Sequence, residues 1–276
     1  MRDMLRFLAT HRPAQAGLAL ILVVVAAALL APVVSPFGPM ESVGRFFAPP
    51  DGSHILGTDG QGRDLFTRLL YGARTTLAVA LAATLLSLLA GSTVGALAGY
   101  FGRWLDLVLM RFVDFMMSFP GFLLAIVTVA VLGKSLENLI WAVGIAGAPS
   151  FARQVRAEIL RVKNNEFVEA ANALGYSHRR ILLRHLLPNC LTPIIVLATL
   201  GMGGSILTVA GLAFLGLGGD PFVPEWGLIL KLGWDESTRG AFQVGVAGAC
   251  ILVTVLGFNL LGDGLRDWLD PRTRAR

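Results

Sequence analysis

The sequence predicts an all-α integral membrane protein, and three observations carry that prediction. Of its 276 residues, 55% are hydrophobic and only 15% are charged, whereas a soluble domain is roughly 45–50% apolar and roughly 25% charged. The apolar residues lie in stretches of about 20, the length that a helix needs to cross a bilayer. The 32 glycines suit helices that pack closely in lipid. One soluble core could not bury this much apolar surface, so the excess must face lipid.

The first element is an apolar run at 17–34, which is too long for the apolar core of a cleavable signal peptide. Six stretches in all are predicted to span the membrane: 17–34, 75–99, 107–132, 136–152, 189–212 and 242–262. In the second span, Gly91, Gly95 and Gly99 are four residues apart, so they share a helix face that another backbone can approach. Pro120 predicts a kink in the third span.

Two segments between the spans need a separate interpretation. Residues 56–74 begin with turn-forming Gly and Asp and continue as an amphipathic pattern, which predicts a helix on the outer membrane surface that leads into the second span. In this helix, Leu65, Leu69 and Leu70 lie on one side, with Arg63 and Arg68 elsewhere. The segment 213–241 either folds at the outer face or dips back toward the bundle.

The basic residues predict the orientation of the chain. With the N-terminus inside, the cytoplasmic pieces hold 16 of the 23 Lys and Arg residues in about half of the loop length. Because positive charge concentrates in cytoplasmic loops, both termini are predicted to be cytoplasmic. These pieces are 1–13, 100–111, 151–188 and 263–276. The net charge of +5 is spread over several short loops, so nucleic acid is not an expected partner.

The longest predicted cytoplasmic segment, 151–188, has helix signals of its own. The fourth span is expected to end near Pro149, and Ser150 can cap a helix that extends it to residue 163. Asn164 and Asn165 then break this helix.

A short helix is predicted from Glu166 to Leu174, with Gly175 placed to end it. Ser177 caps a third, basic helix, which reaches Leu187 and is expected to end at Pro188.

The short helix carries one apolar stripe, because Phe167, Ala170, Ala171 and Leu174 occupy positions i, i+3, i+4 and i+7. Its two central members are alanines, so the middle of the stripe is flat. A flat helix flanked by charge suits insertion into a groove on a partner. The spacing equally fits a helix that rests on its own protein or on lipid headgroups.

The segment EAANALGYSHRRILLRHLLPN resembles the EAA motif of binding-protein-dependent ABC importer permeases. Four further segments, over roughly 56–272, resemble the C-type permeases of the dipeptide/oligopeptide/nickel group: LGTDGQGRDLFTRLLYGAR, MRFVDFMMSFP, AGLAFLGLG and FNLLGDGLRDWLDPR. The EAA motif is matched residue by residue at Glu169, Ala170, Ala171, Gly175, Leu187 and Pro188.

This resemblance implies a type I ABC importer permease fold, with six transmembrane helices and a cytoplasmic coupling helix. It implies a heterodimer with a sister permease, two cytosolic ABC ATPase subunits and an extracytoplasmic substrate-binding protein. Glu169 and Gly175 would hold and end the coupling helix, and Ala170 and Ala171, with Phe167 and Leu174 of the stripe, would contact the ATPase. The implied domains are an N-terminal helix and outer segment (1–74), the permease domain (75–266) and a cytoplasmic tail (267–276).

No catalytic, cofactor or metal site is predicted. Gly133-Lys134-Ser135 lacks the Gly-rich loop that binds nucleotide phosphates, so ATP hydrolysis is expected in separate subunits. His178 and His185 have no carboxylate or cysteine at metal-ligand spacing, and they are interpreted as solvated or facing headgroups. His54 and Asp59 are likewise too few for a metal site, and Cys190 and Cys250 are expected to behave as small buried hydrophobic residues.

Asp114 is the charge placed most clearly within a predicted span, and such a residue is by default a functional candidate. Arg111 lies three residues away on the same helix face, which favours a structural ion pair. The function predicted overall is half of a translocation path for di- or oligopeptides or similar small solutes. The alternative is an ion- or proton-driven secondary transporter, which the scarcity of charges in the spans disfavours.

Overall fold

The computed structural model describes residues 11–236 and 238–269, and all regular secondary structure in this part of the chain is helical. Residues 1–10, 237 and 270–276 lie outside the description, so the predicted cytoplasmic pieces at the two termini are only partly covered. The ten α-helices of the described residues are α1 (Arg12–Val34), α2 (Leu65–Phe101), α3 (Arg103–Met117), α4 (Gly121–Leu132), α5 (Leu136–Lys163), α6 (Glu166–Ala173), α7 (His178–Arg180), α8 (Leu187–Phe214), α9 (Trp226–Asp235) and α10 (Ala241–Leu269). A π-helical turn, Ile181–Leu186, joins α7 to α8.

Among the residues that the structure describes, four helices are long and apolar enough to cross a membrane: α1, α2, the continuous helix from His178 to Phe214, and α10. Helices α3 and α4 make a fifth span if they are taken together, although they are bent by 89° at their junction. The predicted fourth span lies within α5, which is long enough to cross but less apolar. The all-helical membrane fold is confirmed, and the count of six spans stays a prediction.

Helix α5 is continuous through Pro149, so the prediction that a span ends there and a new helix starts at Ser150 was wrong. A proline removes one backbone hydrogen bond, but inside a membrane bundle the neighbouring helices can offset that loss. Here α2 packs along α5 on both sides of Pro149, because the closest approaches of the two helices are at Ala148 and Ala152.

The prediction that Gly91, Gly95 and Gly99 form a face of α2 on which another helix packs closely is confirmed, and that helix is α5. A Cβ added at Gly91 would lie 2.4 Å from the carbonyl oxygen of Ala148, and one added at Gly95 would lie 2.3 Å from that of Ala152. Such distances are too short for any side chain. Helices α2 and α5 therefore pack backbone to backbone, and their contact is the most extensive between any two helices of the described residues.

The basic helix that begins at Ser177 does not end at Pro188, which corrects the sequence prediction. The π-helical turn lets the backbone N–H of Leu187 donate to the carbonyl of Leu182, five residues back. This wider turn shifts the hydrogen-bond register just before Pro188, so the proline enters as the second residue of α8 and the helix continues.

Residues 36–64, here called the cap segment, precede α2, and they correct a third expectation. Asp64 caps α2, which then runs unbroken for 37 residues. Arg63 and Arg68 are only 3% and 1% exposed. The start of α2 is therefore packed inside the protein and is not a separate helix lying on the membrane surface.

Of the two alternatives for 213–241, the structure shows the one that returns to the bundle. Helix α9 packs against α2, α8 and α10, and the indole N–H of Trp226 donates to the carbonyl of Leu69 at 2.9 Å. The carboxylate of Glu225 caps α9 by accepting from the Leu228 N–H, and it also accepts from the hydroxyl of Thr76. These buried polar contacts fix α9 against the first turns of α2.

Candidate functional site

Helix α6 lies at the opposite end of the bundle from the cap segment, between the long helices α5 and α8. As predicted, α5 ends at the Asn164-Asn165 pair. Gly175 ends α6 with a φ of +75°, a conformation that glycine adopts without steric cost. The N–H of Tyr176 donates to the carbonyl of Ala171, and that of Gly175 donates to Asn172, the two bonds of a Schellman motif. The side chain of Ser177 then caps α7.

The predicted apolar stripe of α6 is divided between two faces, which corrects the assignment of one residue. Phe167 and Leu174 are 40% and 70% exposed, and Ala170 is also exposed. Ala171 is only 4% exposed, as is appropriate for a residue packed against its own protein. Val168, which the stripe does not include, is buried beside it. The free face of α6 is therefore formed by Phe167, Ala170 and Leu174.

An apolar cluster beneath α6 fixes its position. Val168 and Ala171 pack there with residues from the ends of α2, α5 and α8 and from the π-helical turn: Ala96, Tyr100, Val155, Ile159, Val162, Ile181, Leu186, Cys190 and Ile194. An eight-residue helix is too short to be stable alone. Packing of its two buried side chains thus supplies most of the stability of α6.

Tyr100, the second-last residue of α2, ties three elements together under α6. Its carbonyl accepts a hydrogen bond from Lys163 Nζ at 2.5 Å, and the same ammonium lies 5.6 Å from the centre of its ring. Its hydroxyl shares a hydrogen bond of 2.8 Å with Nδ1 of His178. The end of α5 and the start of α7 are thereby both attached to α2.

Comparison with protein-family models gives two matches along the chain. Residues 91–275 match the binding-protein-dependent transport system inner membrane component, and residues 1–50 match the N-terminal TM domain of oligopeptide transport permease C. The chain belongs to this family of inner-membrane permeases.

Two curated relatives extend the match over nearly the whole chain. The dipeptide transport system permease protein DppC of Alkalihalophilus pseudofirmus is 42% identical, over 99% of this chain and 90% of that protein. The glutathione transport system permease protein GsiD of Pectobacterium atrosepticum is 40% identical, over 98% of this chain and 90% of that protein. Among solved structures, a chain of the inward-facing MetNI methionine ABC transporter has a TM-score of 0.60 at 22% identity and covers 74% of this chain and 97% of its own length. That likeness shows a shared fold.

The other EAA-motif residues of this permease are not all brought together. The side chain of Glu169 is exposed in the first turns of α6, where a carboxylate interacts favourably with the helix dipole. Leu187 packs against the cluster under α6, whereas Pro188 is exposed at the start of α8. Leu187 and Pro188 therefore belong to the frame of the loop and do not extend the free face of α6.

Sequence reasoning missed Val168, Tyr100 and Lys163. Val168 precedes Glu169 in the EAA segment, and a wider apolar arc that included it would have revealed the buried face. Tyr100 and Lys163 each close a long helix, and the sequence offers no sign that these two helix ends meet.

The partner predicted for Asp114 was wrong. Its carboxylate pairs with Arg153 of α5 at 2.7 Å, and Asp106 pairs in the same way with Arg156. Arg111 is on the same helix as Asp114, but α5 runs alongside α3 and offers a guanidinium across the helix pair. The two ion pairs hold α3 against α5.

Within residues 11–236 and 238–269, no group of three potential metal ligands is found. His54 lies 3.1 Å from Asp64, and His185 stacks on the ring of Tyr176, so the histidines make local contacts and are not simply solvated. Both cysteines are free, with Cys190 fully buried and Cys250 half-buried.

Proposed function

We propose that this chain is one of two permease subunits of an ATP-driven importer, and that α6 is its coupling helix. The observation that carries the proposal is the free face of α6: Phe167, Ala170 and Leu174 are presented on a helix whose opposite face is locked to the ends of α2, α5 and α8. An exposed apolar patch on an anchored helix is typical of a protein-interaction site. The partner is an ABC ATPase, as the family membership supports.

The end of the bundle that carries α6 is then cytoplasmic, and the cap segment is on the outer face. This orientation agrees with the excess of Lys and Arg in the α6 end and places both termini inside. It requires an even number of crossings. Helices α1, α2, α3–α4, α5, α8 and α10 supply six of them, with α5 as the less apolar fourth span.

The partners in this proposal are a sister permease, two ATPase subunits and an extracytoplasmic binding protein that delivers the cargo. The relatives at 40–42% identity are permeases for dipeptides and for glutathione. Both solutes are small peptides with free carboxylates. The cargo proposed for this chain is therefore a di- or oligopeptide or a peptide-like solute. Hydrolysis of ATP takes place in the separate subunits.

In this proposal Glu169 holds the coupling helix and Gly175 ends it, while Ala170 lies at the flat centre of the docking surface between Phe167 and Leu174. Ala171, Leu187 and Pro188 act through the frame that positions this surface. Movement of the ATPases is thereby transmitted to the long helices whose ends meet at Tyr100.

The test is co-purification of the tagged chain in mild detergent, with mass spectrometry of the recovered proteins. The wild-type chain is expected to retain a homologous permease and ABC ATPases. Ala170→Arg puts a long charged side chain at the centre of the docking surface, and we expect it to lower ATPase recovery at least about tenfold, the effect of losing an interface hot spot, with the sister permease still bound.

Asn172→Arg is the matched control, because Asn172 is exposed on the other side of α6. It should keep normal ATPase recovery. Equal recovery with Ala170→Arg and Asn172→Arg would overturn the assignment of α6. A wild-type chain recovered without any ATPase, under conditions that preserve related complexes, would overturn the importer function.

A further inference from the structure

The junction between α3 and α4 breaks a span at a depth where hydrocarbon is expected. A Cβ built on Gly121 would lie 4.0 Å from the carbonyl oxygen of Ala146, which places the junction level with that residue of α5. No charged residue lies between Glu137 and Arg153 on α5. At 1.5 Å per residue, Ala146 is about 14 Å from Glu137 and about 10 Å from Arg153. The break is therefore near the middle of an apolar layer.

The backbone at this break is exposed and incompletely paired. Every residue from Met117 to Phe122 is exposed. Pro120 caps α4 without a side-chain hydrogen bond, and the first α4 N–H that has an acceptor among the described residues is that of Leu124, which donates to Pro120. Unpaired backbone groups do not face lipid, because each would cost several kcal/mol there. They are tolerated where the backbone is buried in protein or lines a water-filled cavity.

A second, independent observation lies one helical turn before the break. The side chains of Asp114 and Arg153, paired at 2.7 Å, are 55% and 53% exposed. Because Arg153 bounds the apolar layer, this exposed pair marks its polar edge, and the polar environment reaches to within about one helical turn of the break. Burying these two side chains in a dry interface would also carry a large desolvation cost.

We propose that the α3–α4 break, from Met117 to Phe122, together with Asp114 lines the aqueous path along which the solute crosses. This inference rests on the proposed importer function and adds the location of its path. The break supplies backbone N–H donors. The rings of Phe115 and Phe119, in edge-to-face contact at a centroid distance of 5.4 Å, supply an aromatic wall. Donors beside an aromatic surface suit a solute with carbonyl or carboxylate oxygens and apolar side chains, as a short peptide has.

The experiment is thiol labelling of the assembled transporter in membrane vesicles. The parent is a cysteine-free chain, Cys190→Ala and Cys250→Ala, with confirmed ATP-dependent uptake. Ser118→Cys replaces one oxygen by sulfur at the break, and Phe119→Cys is a second probe. The matched control is Leu89→Cys, since Leu89 is 66% exposed on α2 and is two residues from Gly91, which meets Ala148 at similar depth.

With a charged, water-soluble methanethiosulfonate, Ser118→Cys and Phe119→Cys are expected to react at least about tenfold faster than Leu89→Cys. The rates at the two break positions are also expected to change when the ATPases are trapped with vanadate. Equal rates at the three positions, or rates at the break that are insensitive to trapping, would overturn the inference. Loss of ATP dependence in the cysteine-free parent would instead count against the proposed function, whatever the labelling rates.

Discussion

The two ends of the bundle are stabilised by different kinds of interaction. At the end formed by the cap segment and α9, charged side chains are buried: Asp59, Arg63 and Arg68 are 1%, 3% and 1% exposed. At the α6 end, the ion pairs are at the surface and the buried material is an apolar cluster. Buried charges are stable only with well-placed partners, whereas an apolar cluster tolerates small shifts. The cap end therefore specifies one geometry, whereas the α6 end tolerates small displacements, as the proposed coupling role requires.

The cap network shows how an irregular segment becomes rigid. The carboxylate of Asp59 accepts hydrogen bonds from the backbone N–H groups of Gln61 and Arg63 and from Arg63 Nε, and it lies 3.2 Å from Arg68 Nη1. Asp64 caps α2 while its other oxygen contacts His54. The cap segment lacks helix and strand, and these side-chain contacts replace them in joining it to α2.

Helix α6, in contrast, has few buried side chains and an exposed apolar face. Only two of the eight residues of α6 are buried, and the side chains of Phe167 and Ala170, with that of Leu174 just after the helix, are exposed. The described chain leaves this face uncovered, while its frame is attached to three long helices. An element held on one side and bare on the other fits a moving contact with a partner.

The largest expected effect is at the buried acid of the cap segment. Asp59→Asn removes the negative charge between Arg63 and Arg68, and breaking a buried ion pair in this way costs about 3–5 kcal/mol. We expect the purified complex to lose thermal stability strongly, as measured by the midpoint of its unfolding in detergent. Asp51→Asn is the control, because Asp51 accepts similar backbone hydrogen bonds but is exposed. Similar midpoints for the two variants would contradict the locked cap.

The same contrast separates what the sequence could predict from what it could not. Local signals were sufficient for the helix seam at Gly91, Gly95 and Gly99 and for the end of α6 at Gly175, because the conformation or spacing of each residue alone determines the outcome. The free face of α6 was found only in part, since the inward side of an amphipathic helix depends on the neighbours that cover it.

Burial of Arg63 and Arg68 could not be predicted, because amphipathic patterns place arginine at a surface and the pairing acid, Asp59, comes from an irregular segment. Continuation of the helix through Pro188 was missed for a related reason. The π-helical turn that accommodates the proline is a change of hydrogen-bond register, and no residue type marks it. In the first case a contact with a distant residue decides the outcome, and in the second a shift of hydrogen-bond register does. Neither can be predicted from the preferences of the individual residues.

The next largest effect is expected at the end of α6. Gly175 has open space around its Cβ position, so Gly175→Val is disfavoured only by the left-handed backbone, at about 1–2 kcal/mol or more for a β-branched residue. We expect weaker retention of the ATPases with normal membrane assembly, as measured by co-purification. Gly175→Asn, which tolerates this conformation, should behave as wild type. Equal retention by the valine variant would mean that the end of α6 does not shape the docking surface.

The smallest effect is expected at Tyr100, and it tests whether the α6 end transmits movement. Tyr100→Phe removes one hydrogen bond to His178, worth about 0.5–1.5 kcal/mol, while the ring and the carbonyl still hold Lys163. Because stability and assembly should hardly change, the sensitive quantity is the amount of ATP hydrolysed per solute imported, which we expect to rise. His178→Ala should raise it similarly, and the double variant should add little more, since both changes break the same contact. Fully additive effects would show that Tyr100 and His178 act separately and that the link between α2 and α7 is not the route of coupling.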